Sequence, residues 1–147
     1  MAVRYLLDTN VLVHCVRGDN VWQRMQAAHS LLMLEPLPLI CVVSVGELRS
    51  LALQFNWQTR RLSQMEFILD YFDWVNIDRP SILNAYAEID AWTRQNGRKM
   101  GKNDLWIAAS AAESGARLIT TDRDFISLDP IFLAVDWIDP TTPAIAP

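Results

Sequence analysis

Short, mainly apolar runs recur along the chain, and stretches with apolar residues at helical spacing lie between them. Val3 to Leu7 is apolar and stops at Asp8, and Leu39 to Val43 is β-branched and uncharged. Both read as buried strands of a parallel sheet. Trp74 to Ile77 predicts a short third strand, Ala116 to Thr121 a fourth that ends at Asp122, and Ala134 to Trp137 a fifth. Between them the spacing predicts helices. Val11 to Val16 ends at Gly18, and Val21 to Leu34 is closed by Glu35-Pro36-Leu37-Pro38. Ser44-Val45-Gly46-Glu47 opens a helix reaching about Phe55, and Trp57 to Tyr71 carries another. Asp78-Arg79-Pro80 begins a helix whose face is Ile82, Ala85, Tyr86, Ile89 and Trp92. Asn103 is the expected cap of a helix over Asp104 to Glu113, terminated by Gly115.

Strand–helix alternation of this kind predicts an α/β fold with a parallel sheet and helices on both faces. At 147 residues the chain reads as one domain, residues 1–138, followed by an irregular tail over 139–147 that holds three prolines. No apolar run approaches a membrane span, and the first strand begins too soon for a signal peptide. Cys15 and Cys41 stand apart in apolar surroundings and read as reduced core cysteines of a cytoplasmic protein.

The formal charge of −4 argues against a nonspecific nucleic-acid coat. Its distribution matters more. Asp8 follows the first strand, Glu47 lies at the start of the helix after the second, Asp104 opens a later helix, and Asp122 follows the fourth strand. Open parallel sheets bind ligands at the carboxyl ends of their strands, and all four acids fall near that edge. Each has a local alternative. Asp8 can cap a helix, Ser44 with Glu47 fits a capping box, Asp104 suits the helix dipole, and Asp122 can start a turn. Those alternatives do not explain the convergence. Four carboxylates together repel unless a cation compensates, and oxygen ligands suit Mg²⁺ or Mn²⁺. Neither histidine is placed to make a zinc site, and His14 and His29 read as packing residues. Such a site can activate water for phosphodiester hydrolysis. Asp8 and Asp104 are expected to touch metal directly and Asp122 to complete the shell. Glu47 would ligate a second ion or position water, with Thr9, Asn10, Ser44 and Thr121 as hydrogen-bonding support.

The segments Leu6-Leu7-Asp8-Thr9-Asn10-Val11-Leu12, Ser44-Val45-Gly46-Glu47-Leu48, Asn103-Asp104-Leu105-Trp106-Ile107-Ala108-Ala109 and Leu118-Ile119-Thr120-Thr121-Asp122-Arg123-Asp124-Phe125 occur in this order. Together they resemble the PIN-domain ribonucleases, most closely the toxins of VapBC toxin–antitoxin pairs. The resemblance implies a three-layer α/β/α fold with strand order 3-2-1-4-5 and a metal-dependent endoribonuclease using Mg²⁺ or Mn²⁺. It also implies a homodimer and a small antitoxin that blocks the site. It carries the four family acids onto Asp8, Glu47, Asp104 and Asp122, with Asp124 as a structural neighbour.

Arg94, Arg98, Lys99 and Lys102 precede Asp104 and could clamp RNA phosphates or form an ordinary solvated loop. Arg60-Arg61 reads as helix surface, and all six tryptophans read as core packing rather than base stacking. Two competing functions are a PIN-like module that binds RNA or protein without cutting, and a phosphoacceptor domain. The second wants paired acids after the first strand and a lysine after the last, and this chain has neither.

Overall fold

The computed structural model describes residues 3–141. Five parallel strands form one sheet in the order β3-β2-β1-β4-β5, as the resemblance implies. The strands are β1 (Tyr5–Leu7), β2 (Leu39–Cys41), β3 (Asp73–Val75), β4 (Arg117–Thr120) and β5 (Ala134–Trp137). The helices are α1 (Thr9–Arg17), α2 (Asn20–His29), α3 (Val42–Gln54), α4 (Thr59–Tyr71), α5 (Pro80–Gln95) and α6 (Lys102–Ser114). Short 3₁₀ turns cover Leu31–Met33 and Arg123–Leu128.

Period-two alternation divides the core. Leu7, Ile40 and Ile119 face α1, α2, α3 and α4, where they meet Val11, Leu12, Met25, Leu48 and Leu69. Leu6, Cys41, Val75 and Leu118 face the other way, against Ile82 and Ile89 of α5 and Leu105, Ile107 and Ala108 of α6. Fully burying each large aliphatic side chain contributes roughly 1.5–3 kcal/mol. The sheet is therefore held from both sides, and the three-layer order is a consequence of its composition. Helix α6 is buried almost all round, and its alanines Ala108, Ala109 and Ala111 let its backbone approach the sheet closely.

Several boundaries differ from the sequence pattern, each for a physical reason. The helix expected over Val21 to Leu34 breaks at Ser30, whose φ of 50° ends α2 and starts the 3₁₀ turn. Val42 and Val43, expected in the second strand, are already helical, so β2 ends at Cys41 and α3 follows with no loop. Ser44 consequently lies inside the first turn of α3 rather than at its cap, and the capping-box reading of Ser44 and Glu47 fails. Gly101, not Asn103, occupies the cap position of α6, so Lys102 belongs to the helix rather than to the basic loop. The third strand is Asp73–Val75, shifted toward the chain start from the expected Trp74 to Ile77. Gly18 and Gly115 end α1 and α6 in the left-handed region as expected, and β5 has its expected limits. Of the expected irregular tail, residues 142–147 lie outside the described residues.

Both cysteines are buried and free. Trp22 and Trp57 are buried. Trp74 departs from the core reading, being 43% exposed with its Nε1 donating to Leu69 O at 2.7 Å. His14 contacts Asp19 Oδ2 through Nδ1 at 2.6 Å, and His29 meets the Tyr5 ring edge-on.

Candidate active site

One residue separates β1 from α1, and that residue is Asp8. Its N–H donates to Ile119 O at 3.0 Å, continuing the ladder with β4, while its own carbonyl accepts the first helical bonds from Val11 and Leu12. The carboxylate is thereby fixed at the carboxyl edge of the sheet. Its Oδ1 accepts from Thr9 N at 2.7 Å, so the helix-cap role is real. Its Oδ2 accepts from the Thr120 hydroxyl at 2.7 Å. Thr120 was not among the expected supporting residues, whereas the expected Thr121 offers its carbonyl to Trp137 Nε1. A signal for Thr120 existed. Leu7 pairs with Ile119 in register, so the next positions, Asp8 and Thr120, fall side by side on one face.

Only 3% of Asp8 is exposed. Burial is the main reason its carboxyl is pushed up from 3.8 to about 7, with the charges of Asp104 and Asp122 adding to the rise. The bonds from Thr120 and Thr9 oppose the shift. Asp104, in the first turn of α6, is raised to about 6, again first by burial and then by Asp122, Glu47 and Asp124. The four expected acids therefore form one electrostatic group. Glu47 is tied in from α3, where Thr9 Oγ1 donates to its Oε1 at 2.7 Å and also hydrogen-bonds Ser44 Oγ at 2.8 Å. Asp122 accepts from Asp124 N at 2.8 Å, which makes it the cap of the 3₁₀ turn, and its own N–H donates to Thr120 Oγ1 at 2.9 Å. The Thr120 hydroxyl thus bridges two acids.

Among the described residues no three acid, histidine or cysteine side chains lie close enough as they stand to share one ion. The carboxylates are electrostatic neighbours rather than a closed shell, as expected when like charges face one another. The chemistry of the donors nevertheless suits a hard divalent cation. They are all oxygens, and the carboxyls of Asp8 and Asp104 are both pushed up, by burial first and then by neighbouring acids. Asn10 is exposed on the outer side of α1, and no hydrogen bond joins it to these acids.

A parallel sheet with one buried acid, Asp8, and the half-buried Glu47, Asp104 and Asp122 gathered near its carboxyl edge defines an α/β protein with an acidic strand-end cluster. The chain matches the PIN domain family over residues 5–130 and belongs to it. It is 33% identical over 91 residues to ribonuclease VapC5 of Mycobacterium tuberculosis, a stretch covering 60% of this chain and 66% of that protein. The chain thus spans just under two-thirds of that relative. The crystal structure of VapBC-5 from the same organism, a member of the VapBC family of toxin–antitoxin systems, superposes with a TM-score of 0.64. Its sequence identity is 27%, over 93% of this chain and 98% of that one. VapBC2 from Rickettsia felis, solved bound to a DNA fragment from its promoter, shares the fold with a TM-score of 0.77. It is 20% identical, over 93% of this chain and all of that one.

Proposed function

We infer that this chain is an RNA-cleaving hydrolase acting as the toxin of a toxin–antitoxin pair. The observation that carries the reading is Asp8, buried at the carboxyl edge, bonded by Thr9 and Thr120 and electrostatically coupled to Asp104 and Asp122. The VapC and VapBC names of its relatives supply the RNA substrate and the antitoxin partner. A homodimer follows from family resemblance. No helix among the described residues is long and apolar enough to cross a membrane.

Asp8, Asp104 and Asp122 would hold Mg²⁺ or Mn²⁺, with Glu47 beside them. When bound, such an ion supplies an acidified water and counter-charge for a phosphodiester's leaving oxygen. The protein's own contribution is order. Thr120 and Thr9 N–H fix both oxygens of Asp8, and Thr9 holds Glu47 across from it. The raised acids give up their protons more readily as a cation approaches, so ligand binding releases protons. Arg98, Lys99 and Lys102 are exposed just ahead of Asp104 and would contact RNA phosphates. Arg94 is less available, being paired with Asp90 at 3.0 Å.

Purified protein with Mg²⁺ or Mn²⁺ should cut RNA. Asp8→Asn should reduce the rate at least about 100-fold with the fold retained by circular dichroism. Equal cutting by that variant rejects the reading, and intact RNA after prolonged incubation with wild-type protein favours a non-cleaving PIN-like module.

A further inference from the structure

Helix α4 begins with a local misfit. The first turn of a helix favours acids, because its dipole presents positive charge there. This first turn instead carries Arg60 and Arg61, and the cap residue Gln58 makes no side-chain bond to the free amides. Both arginines are exposed, as is Arg17 at the end of α1. Arg4, Arg49, Arg94 and Arg117 each pair with a carboxylate. No such pair is formed by Arg17, Arg60 or Arg61 among the described residues.

These three cations line one groove of about 560 Å³ together with Phe55 and Trp57, and no acid lines it. The aromatic rings lie 6.2 Å apart. The Arg17 guanidinium stands 5.3 Å from the Phe55 ring centre, and that of Arg61 stands 5.8 Å from the Trp57 ring centre. Trp57 is buried and serves as a floor that orients Arg61. Phe55 is 49% exposed and offers a face. The turn that presents it is set in advance. Asn56 adopts φ 55°, and Phe55 N and Trp57 N donate to Leu51 O and Ala52 O at 2.8 and 2.9 Å.

A second, smaller depression of about 260 Å³ shares Arg17 and Phe55 with this groove and is also lined by Asn10 and Thr121. Asn10 lies two residues from Asp8, and Thr121 immediately precedes Asp122. The depression therefore extends from the arginine groove toward the strand ends that carry Asp8 and Asp122.

We propose that this path is a subsite for single-stranded RNA, holding the strand beyond the scissile phosphate. It deepens the ribonuclease reading and rests on it. Guanidiniums would take two or three phosphates, while Phe55 stacks one base without sequence choice. The groove also offsets the repulsion that an acidic edge exerts on a polyanion. An acidic protein segment is the competing occupant, but it has no use for a stacking face.

The test measures binding in EDTA, so that cutting plays no part. A labelled single strand of about twelve uridines is titrated by fluorescence anisotropy at several salt concentrations. Arg60→Ala/Arg61→Ala should weaken binding about tenfold and lower the salt slope by about 0.7 for each arginine. Phe55→Ala should weaken binding with the slope unchanged. The deficits should shrink for a trinucleotide too short to span the path. Arg117→Ala, at the opposite end of the sheet, should bind as wild type. Long-strand binding by the double variant within twofold of wild type overturns the proposal, and so does an equal loss in Arg117→Ala. Unchanged RNA binding with loss of an acidic protein partner also overturns it, assigning the groove to protein. Wild-type protein that binds through these arginines but never cuts RNA would sink the nuclease reading and leave the groove standing. Normal cutting with unchanged binding would sink the groove alone.

Discussion

The Thr120 hydroxyl donates to Asp8 Oδ2 at 2.7 Å, joining positions 112 residues apart, and accepts from Asp122 N at 2.9 Å. One side chain of β4 therefore sets the position of an acid after β1 and an acid after β4. Removing it should loosen both. Thr120→Val keeps the shape but loses the bonds, and activity should fall about 10–100-fold, the usual cost of losing support to a ligand residue. The Asp8 carboxyl should rise further, because the bond that opposes its shift is gone. Thr120→Ser should restore most of the rate. A pH–rate profile that is the same for Thr120→Val and wild type would show the bond to be merely structural.

Thr9 plays the matching role on the other side by reaching Glu47 at 2.7 Å. Thr9→Val should lower kcat more than it raises KM, since Glu47 is then held only by its own helix. Thr9→Ser keeps the hydroxyl and should retain the rate. Steady-state kinetics of the two variants on one RNA decides this, and equal losses in both would contradict it.

Stability should depend on pH in a direction set by Asp8. Its folded carboxyl stands at about 7 against an ordinary 3.8, so the folded state holds the proton more tightly than the unfolded chain. That stabilisation is fully present below about pH 3.8 and is lost as pH rises toward about 7. Asp104, raised to about 6, acts in the same direction. Metal-free protein should thus have a higher urea midpoint near pH 5 than near pH 7.5. Asp8→Asn should flatten much of that slope and be the more stable protein at the higher pH. A slope unaltered by Asp8→Asn would contradict the assignment.

The two-sided core makes a simpler prediction. Leu7 is fully buried between β1 and the α1–α4 layer, and Leu7→Ala should cost about 2–5 kcal/mol. Leu53, 82% exposed on α3, should tolerate alanine within about 0.5 kcal/mol. Denaturant midpoints of the two variants provide the check.

The strand–helix alternation, the helices on both faces and the strand-end positions of Asp8 and Asp122 were legible in the chain, because apolar runs ending in acids have few other readings. The strand order came only with the family resemblance. Helix starts were less so. Val42 and Val43 favour strands by propensity, and only the docking of α3 against the sheet makes them helical. That shift hid the true role of Ser44, which contacts Thr9 rather than capping α3. Asn103 is a good cap by type, yet the close approach of α6 to the sheet begins the helix two residues earlier. Arg60 and Arg61 looked like plain surface because their aromatic neighbours come from a turn whose shape depends on Asn56 in a left-handed conformation.

In the proposed function, the acids at this edge would hold a divalent cation for RNA hydrolysis. Mn²⁺ titration of wild type, Asp8→Asn and Asp104→Asn, followed by the loss of the free-ion electron paramagnetic resonance signal, tests it most directly. Wild-type protein should bind Mn²⁺ more tightly as pH rises from about 5.5 to 7.5, and each variant should lose at least about tenfold in affinity. Mn²⁺ binding of equal strength in all three proteins would contradict the account.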